Sequence, residues 1–174
     1  MKTNIYLTFS FLLLLFCNLI SAQNPENNMI SDPVLQQEYP EVKAEIEGLV
    51  HQLYESIRKG EVEKQKSFHT YSDKFTAFYG GRLRKDAAGA QEYEENLVNH
   101  FTKVEDVNFD IRDMQVNVFD KVAVASFHIY VSSGVDQEKR QSQAQVSLVY
   151  LNLNGAWKIT HEHVSPLTEV ISEK

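Results

Sequence analysis

The sequence predicts an α+β domain in which three N-terminal helices pack on one face of a curved, mainly antiparallel sheet. Three observations carry that reading. Apolar residues recur at helical spacing only between residues 40 and 103, and four consecutive stretches of strand-like apolar alternation follow. Asn154-Gly155, a strong two-residue hairpin signal, joins the last two of those stretches. Helices first and strands afterwards is the segregated order of an α+β fold.

Residues 1–22 carry Lys2, an uncharged apolar run from Ile5 to Ile20, and the small pair Ser21-Ala22. That is the layout of a secretory signal peptide cleaved near Ala22, so a secreted or periplasmic protein with no stable membrane anchor is expected. Cys17 raises a lipoprotein alternative, but it follows Phe16, where an acylation motif needs a small residue. Residues 23–39, with Pro25 and Pro33 and little periodic apolar content, read as a flexible arm. The domain is expected over 40–166, followed by a tail at 167–174.

Pro40 suits the first turn of a helix; Val42, Ile46, Leu49, Val50, Leu53, Tyr54 and Ile57 then line one face, and Gly60 stops it. EVEKQKSF adds a short second helix. SDKFTAFYGG reads as a short strand with Phe75, Ala77 and Tyr79 on one face, ending in a glycine turn. A third helix, through Ala87, Ala90, Tyr93, Leu97, Val98 and Phe101, ends near Lys103. DVNFDIRDMQVNVF, KVAVASFHIYVSSG, RQSQAQVSLVYLNLN and AWKITHEHVS are the four strands of the meander.

The formal charge of -7 argues against nucleic acid or an anionic membrane surface as partner. The single cysteine, Cys17, lies in the leader, so the domain has no disulfide, thiolate ligand or thiol nucleophile and must be held by packing.

Centring the hairpin on Asn154-Gly155 fixes a register. Tyr150 then falls opposite Ile159, Leu148 opposite His161, and Val146 opposite His163. One face carries Val146, Leu148, Tyr150, Trp157, Ile159, His161 and His163, and both histidines point toward the helices. The other carries Ser147, Val149, Leu151, Lys158, Thr160, Glu162 and Val164, which is too apolar to be fully solvated. A homodimer through this outer face is expected.

The combination of a signal peptide, the first-helix stretch LVHQLYESIRKGE, a YGG turn, a third helix and a terminal GAWKITHEHVS resembles the SnoaL-like branch of the nuclear transport factor 2 superfamily. Its most specific part is G-x-W-K-I-x-H-x-H-x-S, and the likeness runs from about Pro40 to Pro166. The resemblance implies a cone-shaped fold whose curved sheet wraps the helices and leaves a pocket at the open end. The superfamily hosts ketosteroid isomerases, polyketide cyclases, scytalone dehydratase and kinase association domains, so fold alone does not choose a function.

An isomerase of this fold needs a carboxylate base with phenol and acid donors. In the register above no Asp or Glu lies on an apolar strand face: Glu162 is on the opposite side, and Asp73 and Asp113 sit in polar contexts. The terminal strand is also similar to that of the kinase association domain, but the positions matching its pocket arginines are His128, Leu148 and Val164. The pocket is expected to be lined by Tyr54, Tyr79, His128, Tyr130, Leu148, Tyr150, His161 and His163.

His161 and His163 have metal-ligand spacing, with His128 a conceivable third ligand, yet no carboxylate accompanies them, so neither metal nor cofactor is expected. Core or pocket-lining imidazoles are the plainer reading, and general acid-base catalysis by His163 or His128 the sharper one. His51, His69 and His100 have no constellation around them, and the acidic EYEENL and EVEKQK runs read as solvated helix faces. The leading functional expectation is a domain that binds a small, largely hydrophobic molecule in an apolar pocket. An isomerase, cyclase or dehydratase using His163 or His128 with a pocket tyrosine is the alternative, and a dimeric interaction module with a filled pocket the third.

Overall fold

The structure, a computed structural model, describes residues 32–84, 86–134 and 140–167. The segment read as a signal peptide, most of the arm and most of the C-terminal tail lie outside the described residues. Among those described, no helix is long and apolar enough to cross a membrane. The chain divides into a short unit through Leu35 and a main unit from Gln36. In the short unit, Asp32 Oδ1 accepts the Val34 amide at 3.0 Å at the start of a one-turn helix, α1 (Pro33–Gln36), which sequence reasoning did not anticipate.

The main unit begins with α2 (Pro40–Lys59) and α3 (Val62–Ser67). Pro40 occupies the first turn of α2, and Gly60 closes it in the left-handed region at φ 73°, its amide reaching back to the Ile57 carbonyl. A Cβ at Gly60 would collide with the Thr102 methyl, so glycine also lets the ends of two helices approach. Strands β1 (Thr76–Tyr79) and β2 (Arg82–Arg84) form a tight hairpin before α4 (Ala87–Phe101). Asp86 caps α4 by accepting the Gly89 amide at 2.6 Å. The meander follows as β3 (Asn108–Phe119), β4 (Val122–Ser133), β5 (Arg140–Leu153) and β6 (Ala156–Pro166).

These strands make one six-stranded sheet in the order β2-β1-β6-β5-β4-β3, antiparallel except where β1 runs parallel to β6. The helices cover its inner face. Ile46, Val50, Phe75, Leu148, Tyr150 and Ile159 are almost fully buried between the layers. Burying such a side chain contributes about 1.5–3 kcal/mol before entropy is subtracted, and this packing is what a cysteine-free domain relies on. The expected elements are all present; the additions are α1, β2 and the parallel β1–β6 pairing.

The register of the last hairpin differs from the expected one. Tyr150 does face Ile159, but one residue farther the ladder slips: Val149 pairs with His161, Leu148 with Glu162 and Ser147 with His163. Thr160 is the extra residue of a β-bulge, and a bulge turns every later side chain to the other face. It falls where β6 changes neighbours. Ile159 exchanges hydrogen bonds with the backbone at Phe68 and Thr70, whereas from His161 onward the partner is β1. Glu162 and Val164 therefore point inward, and His161 and His163 outward, opposite to the sequence expectation.

Single-cysteine replacements in a Cys17→Ser background report this geometry. His163→Cys is expected to react with a maleimide near the rate of a free thiol, and Glu162→Cys slower by an order of magnitude or more, because its labelling waits on local opening. The reverse order would restore the unbulged register.

Candidate functional site

A cavity of about 140 Å³ opens between the helices and the inner face of the sheet. α2 supplies Leu53, Tyr54 and Ile57, α3 supplies Gln65, and α4 supplies Tyr93, Glu94, Leu97 and Phe101. The sheet adds Tyr79, Phe109, Ile129, Val131, Ala144, Glu162 and Val164. An engineered cavity of about 150 Å³ accepts benzene, so this space suits one ring or its aliphatic equivalent.

Of the residues expected to line a pocket, Tyr54 and Tyr79 lie on this wall. Leu148 and Tyr150 point inward but are sealed in the core at 0% and 1% exposure. His128, Tyr130, His161 and His163 are on the outer face. His161 accepts or donates a 2.8 Å hydrogen bond with Thr76, His163 packs against Phe78 at 5.6 Å, and Tyr130 lies under the Arg112 guanidinium at 4.2 Å. His128 pairs with Asp113 at 2.9 Å and shares a shallow outer groove with His163. The two catalytic candidates are thus corrected: the alternation of β4 puts His128 outside, and the bulge puts His163 there.

The polar groups on the cavity side are others. Glu94 and Glu162 are 2% and 7% exposed, and His69 is 6%. His69 Nδ1 lies 3.2 Å from the Gln65 carbonyl, to which it donates, and Nε2 lies 3.3 Å from Glu162 Oε2. Glu94 accepts hydrogen bonds from the Gln65 amide at 2.5 Å, from Tyr71, and from the Tyr79 hydroxyl at 2.5 Å. That same Tyr79 oxygen is 3.1 Å from Glu162 Oε2, so one phenol stands between the two carboxylates. Glu162 Oε1 has no partner among the described residues, and the side chain keeps 10% of its surface open.

Burial raises the Glu94 carboxyl above the usual carboxylate range; the neighbouring His69 opposes the shift and Glu162 adds to it. Burial by itself would lower the His69 imidazole, but the Glu162 hydrogen bond and the Glu94 charge outweigh it and hold the ring protonated above its ordinary range. Burial first, then Glu162 and Glu94, drives the Tyr79 phenol far up, so it stays a neutral donor. Tyr54 is raised for the same first cause. The cluster is a set of groups whose environments push their protonation apart, which is the arrangement acid-base chemistry needs.

His69, Glu94 and Glu162 bring ligand atoms within 4.8 Å of one another and could hold a metal ion. As they stand, both Glu94 oxygens and both His69 nitrogens are spent on hydrogen bonds. The geometry is that of a hydrogen-bonded cluster, with one carboxylate oxygen left over.

Sequence reasoning missed all three, for different reasons. Glu94 had a readable signal: it lies four residues from both Ala90 and Val98, on the apolar stripe of α4, and all three are buried. Glu162 had none without the bulge. His69 follows α3 in a segment bridged to Ile159, a pairing between distant stretches that local patterning cannot show.

The family model of the SnoaL-like domain matches residues 46–169. Among solved structures, the chain is similar to a candidate dehydratase of the nuclear transport factor 2-like family from Streptomyces avermitilis (17% identity, 74% of this chain and 99% of that one, TM-score 0.62). It is also similar to a candidate ketosteroid isomerase from Shewanella frigidimarina (17%, 68% and 92%, TM-score 0.57). A third is the association domain of calcium/calmodulin-dependent kinase II from C. elegans (18%, 72% and 96%, TM-score 0.58). At these identities the likeness is one of fold. No curated protein sequence matches the chain.

Glu94 and His69 both bind protons more tightly folded than unfolded, so each contributes stability at low pH that is lost as pH rises through its folded value. Urea unfolding of Glu94→Gln against the unmodified protein should therefore show the variant gaining as pH rises above 4.5, the ordinary value for this carboxyl. A pH-independent difference would mean that Glu94 does not titrate inside the fold.

Proposed function

The chain belongs to the SnoaL-like domain family, and on that footing we propose that it takes up a small, largely hydrophobic molecule and performs acid-base chemistry on its polar end, with Glu162 as the proton-exchanging group. The observation that carries this reading is the free Oε1 of Glu162 on the wall of an aromatic cavity, while Oε2 is held by His69 and lies 3.1 Å from the Tyr79 hydroxyl oxygen. A carboxylate anchored by one oxygen and open at the other is preorganised to give or take a proton. Tyr54 and Tyr93 place phenol-bearing rings on the same wall, where a neutral hydroxyl can donate to an oxygen that becomes negative. The dehydratase and isomerase descriptions of two structural relatives support a reaction of that kind. His69 acts through Glu162 and is a positioning residue.

Mass spectrometry of small molecules co-purifying with the protein, followed by incubation of each with unmodified protein and with Glu162→Gln, tests the proposal. Conversion should fall by about 10²–10⁴ in the variant. Retained molecules that neither protein alters, or both alter equally, remove the catalytic role and leave a binding domain.

The proposal includes a homodimer through the outer sheet face, supported by the half-buried Val122, Val124, Val149 and Leu151 there and by Phe78 at 36% exposure. Val149→Glu is expected to convert the dimer to monomer in sedimentation velocity; a monomeric unmodified protein would end this part. Export belongs to the same proposal, and protein recovered from periplasm or medium should have an intact mass lacking residues 1–22.

A further inference from the structure

The polar atoms left over on the cavity side differ in kind from those already satisfied. Tyr71 and Tyr79 spend their hydroxyl protons on Glu94, and Gln65 spends an amide proton there too. What remains on the 93% buried Glu162 is Oε1, a carboxyl oxygen that receives no proton from any donor among the described residues. A ligand that satisfies it must donate.

The surroundings select among donors. Five aromatic side chains line the cavity: Tyr54, Tyr79, Tyr93, Phe101 and Phe109. They form two groups, Tyr79 stacked on Tyr93 at 4.2 Å, and Phe101 edge-on to Phe109 at 5.1 Å with Tyr54 tilted on Phe109 at 5.5 Å. Ring faces attract cations and give little to anions. The charged groups in contact in the cluster are Glu94, Glu162 and His69, two carboxylates against one imidazole. Arg84 lies over Tyr93 at 5.3 Å but forms no salt bridge with either carboxylate.

We propose that the ligand presents a protonated amine to Glu162 Oε1, carried on an apolar body of about one ring. The inference rests on the reading of the cavity as a small-molecule site and specifies the charge of what enters it. A hydroxyl would satisfy the same oxygen but would gain nothing from the ring faces, and a carboxylate would bring a further acceptor to an oxygen that lacks a donor.

Isothermal titration calorimetry at pH 7 with four matched probes decides the matter: benzylammonium, benzyl alcohol, benzoate and zinc ion. Benzylammonium is expected to bind at least about tenfold more tightly than benzyl alcohol, as one cation–π contact and one charge pair require, with benzoate weakest. Glu162→Gln should remove that preference, because a neutral amide no longer favours a charged donor over a neutral one. Equal or tighter binding of the alcohol or benzoate overturns the amine and leaves the cavity as a small-molecule site. Zinc binding without amine binding replaces it with a metal site at His69, Glu94 and Glu162. If none of the four binds at millimolar concentration, both the amine and the small-molecule reading fall. The comparison on unmodified protein is decisive even if Glu162→Gln does not fold.

Discussion

Two carboxylates buried side by side in a small domain are costly unless each finds donors, and this requirement organises the structure around Glu94 and Glu162. Removing a charge from water costs several kcal/mol, and the cost is met only when hydrogen bonds and an opposite charge replace the lost hydration. Gln65, Tyr71 and Tyr79 serve Glu94, and His69 serves Glu162, with the Tyr79 oxygen 3.1 Å from it. These donors come from α3, from the segment after it and from β1. The placement of those short elements against β6 is therefore tied to the charge they stabilise.

The bulge at Thr160 is the local device that makes this possible. Had β6 continued in regular alternation, Glu162 would face outward and two imidazoles would take its place among the helices. A single inserted residue exchanges a carboxylate for histidines on the inner face, which changes the chemistry the cavity can offer more than any substitution on its apolar walls. A comparable slip in β3, between Arg112 and Gln115 with Asp113 at φ 55°, bends that strand opposite Phe127 and brings Asp113 to His128 on the outside.

Much of the fold was legible because it is written in local patterns. Pro40 and Gly60 bound α2, the Ala90 and Val98 spacing marks the buried side of α4, and Asn154-Gly155 sets the final hairpin, with Asn154 at φ 55° and Gly155 at φ 89°. The site was less legible because it depends on register and on long-range pairing. The alternation rule reads Ile159 correctly and fails at the next inward residue, since nothing in the ITHEH run distinguishes a regular strand from a bulged one. His69 resembles any polar residue after a short helix until the strand that meets it is known. Glu94 is different: its position on an apolar helical stripe was visible, and the acidic residues around it masked the exception.

The parallel alignment of β1 with β6 has a consequence for the order of assembly. His69 and Glu162 are separated by 93 residues, and Tyr79 and Glu162 by 83, so the cluster closes some of the longest loops in the domain. Such contacts repay their loop-closure entropy only after the intervening meander has formed. The antiparallel strands β3 to β6 can zip from their turns, whereas β1 and the segment before it have to dock onto a finished edge. The cluster is accordingly expected to close late in folding, and a chain that had built its sheet but not seated β1 would be compact while lacking it.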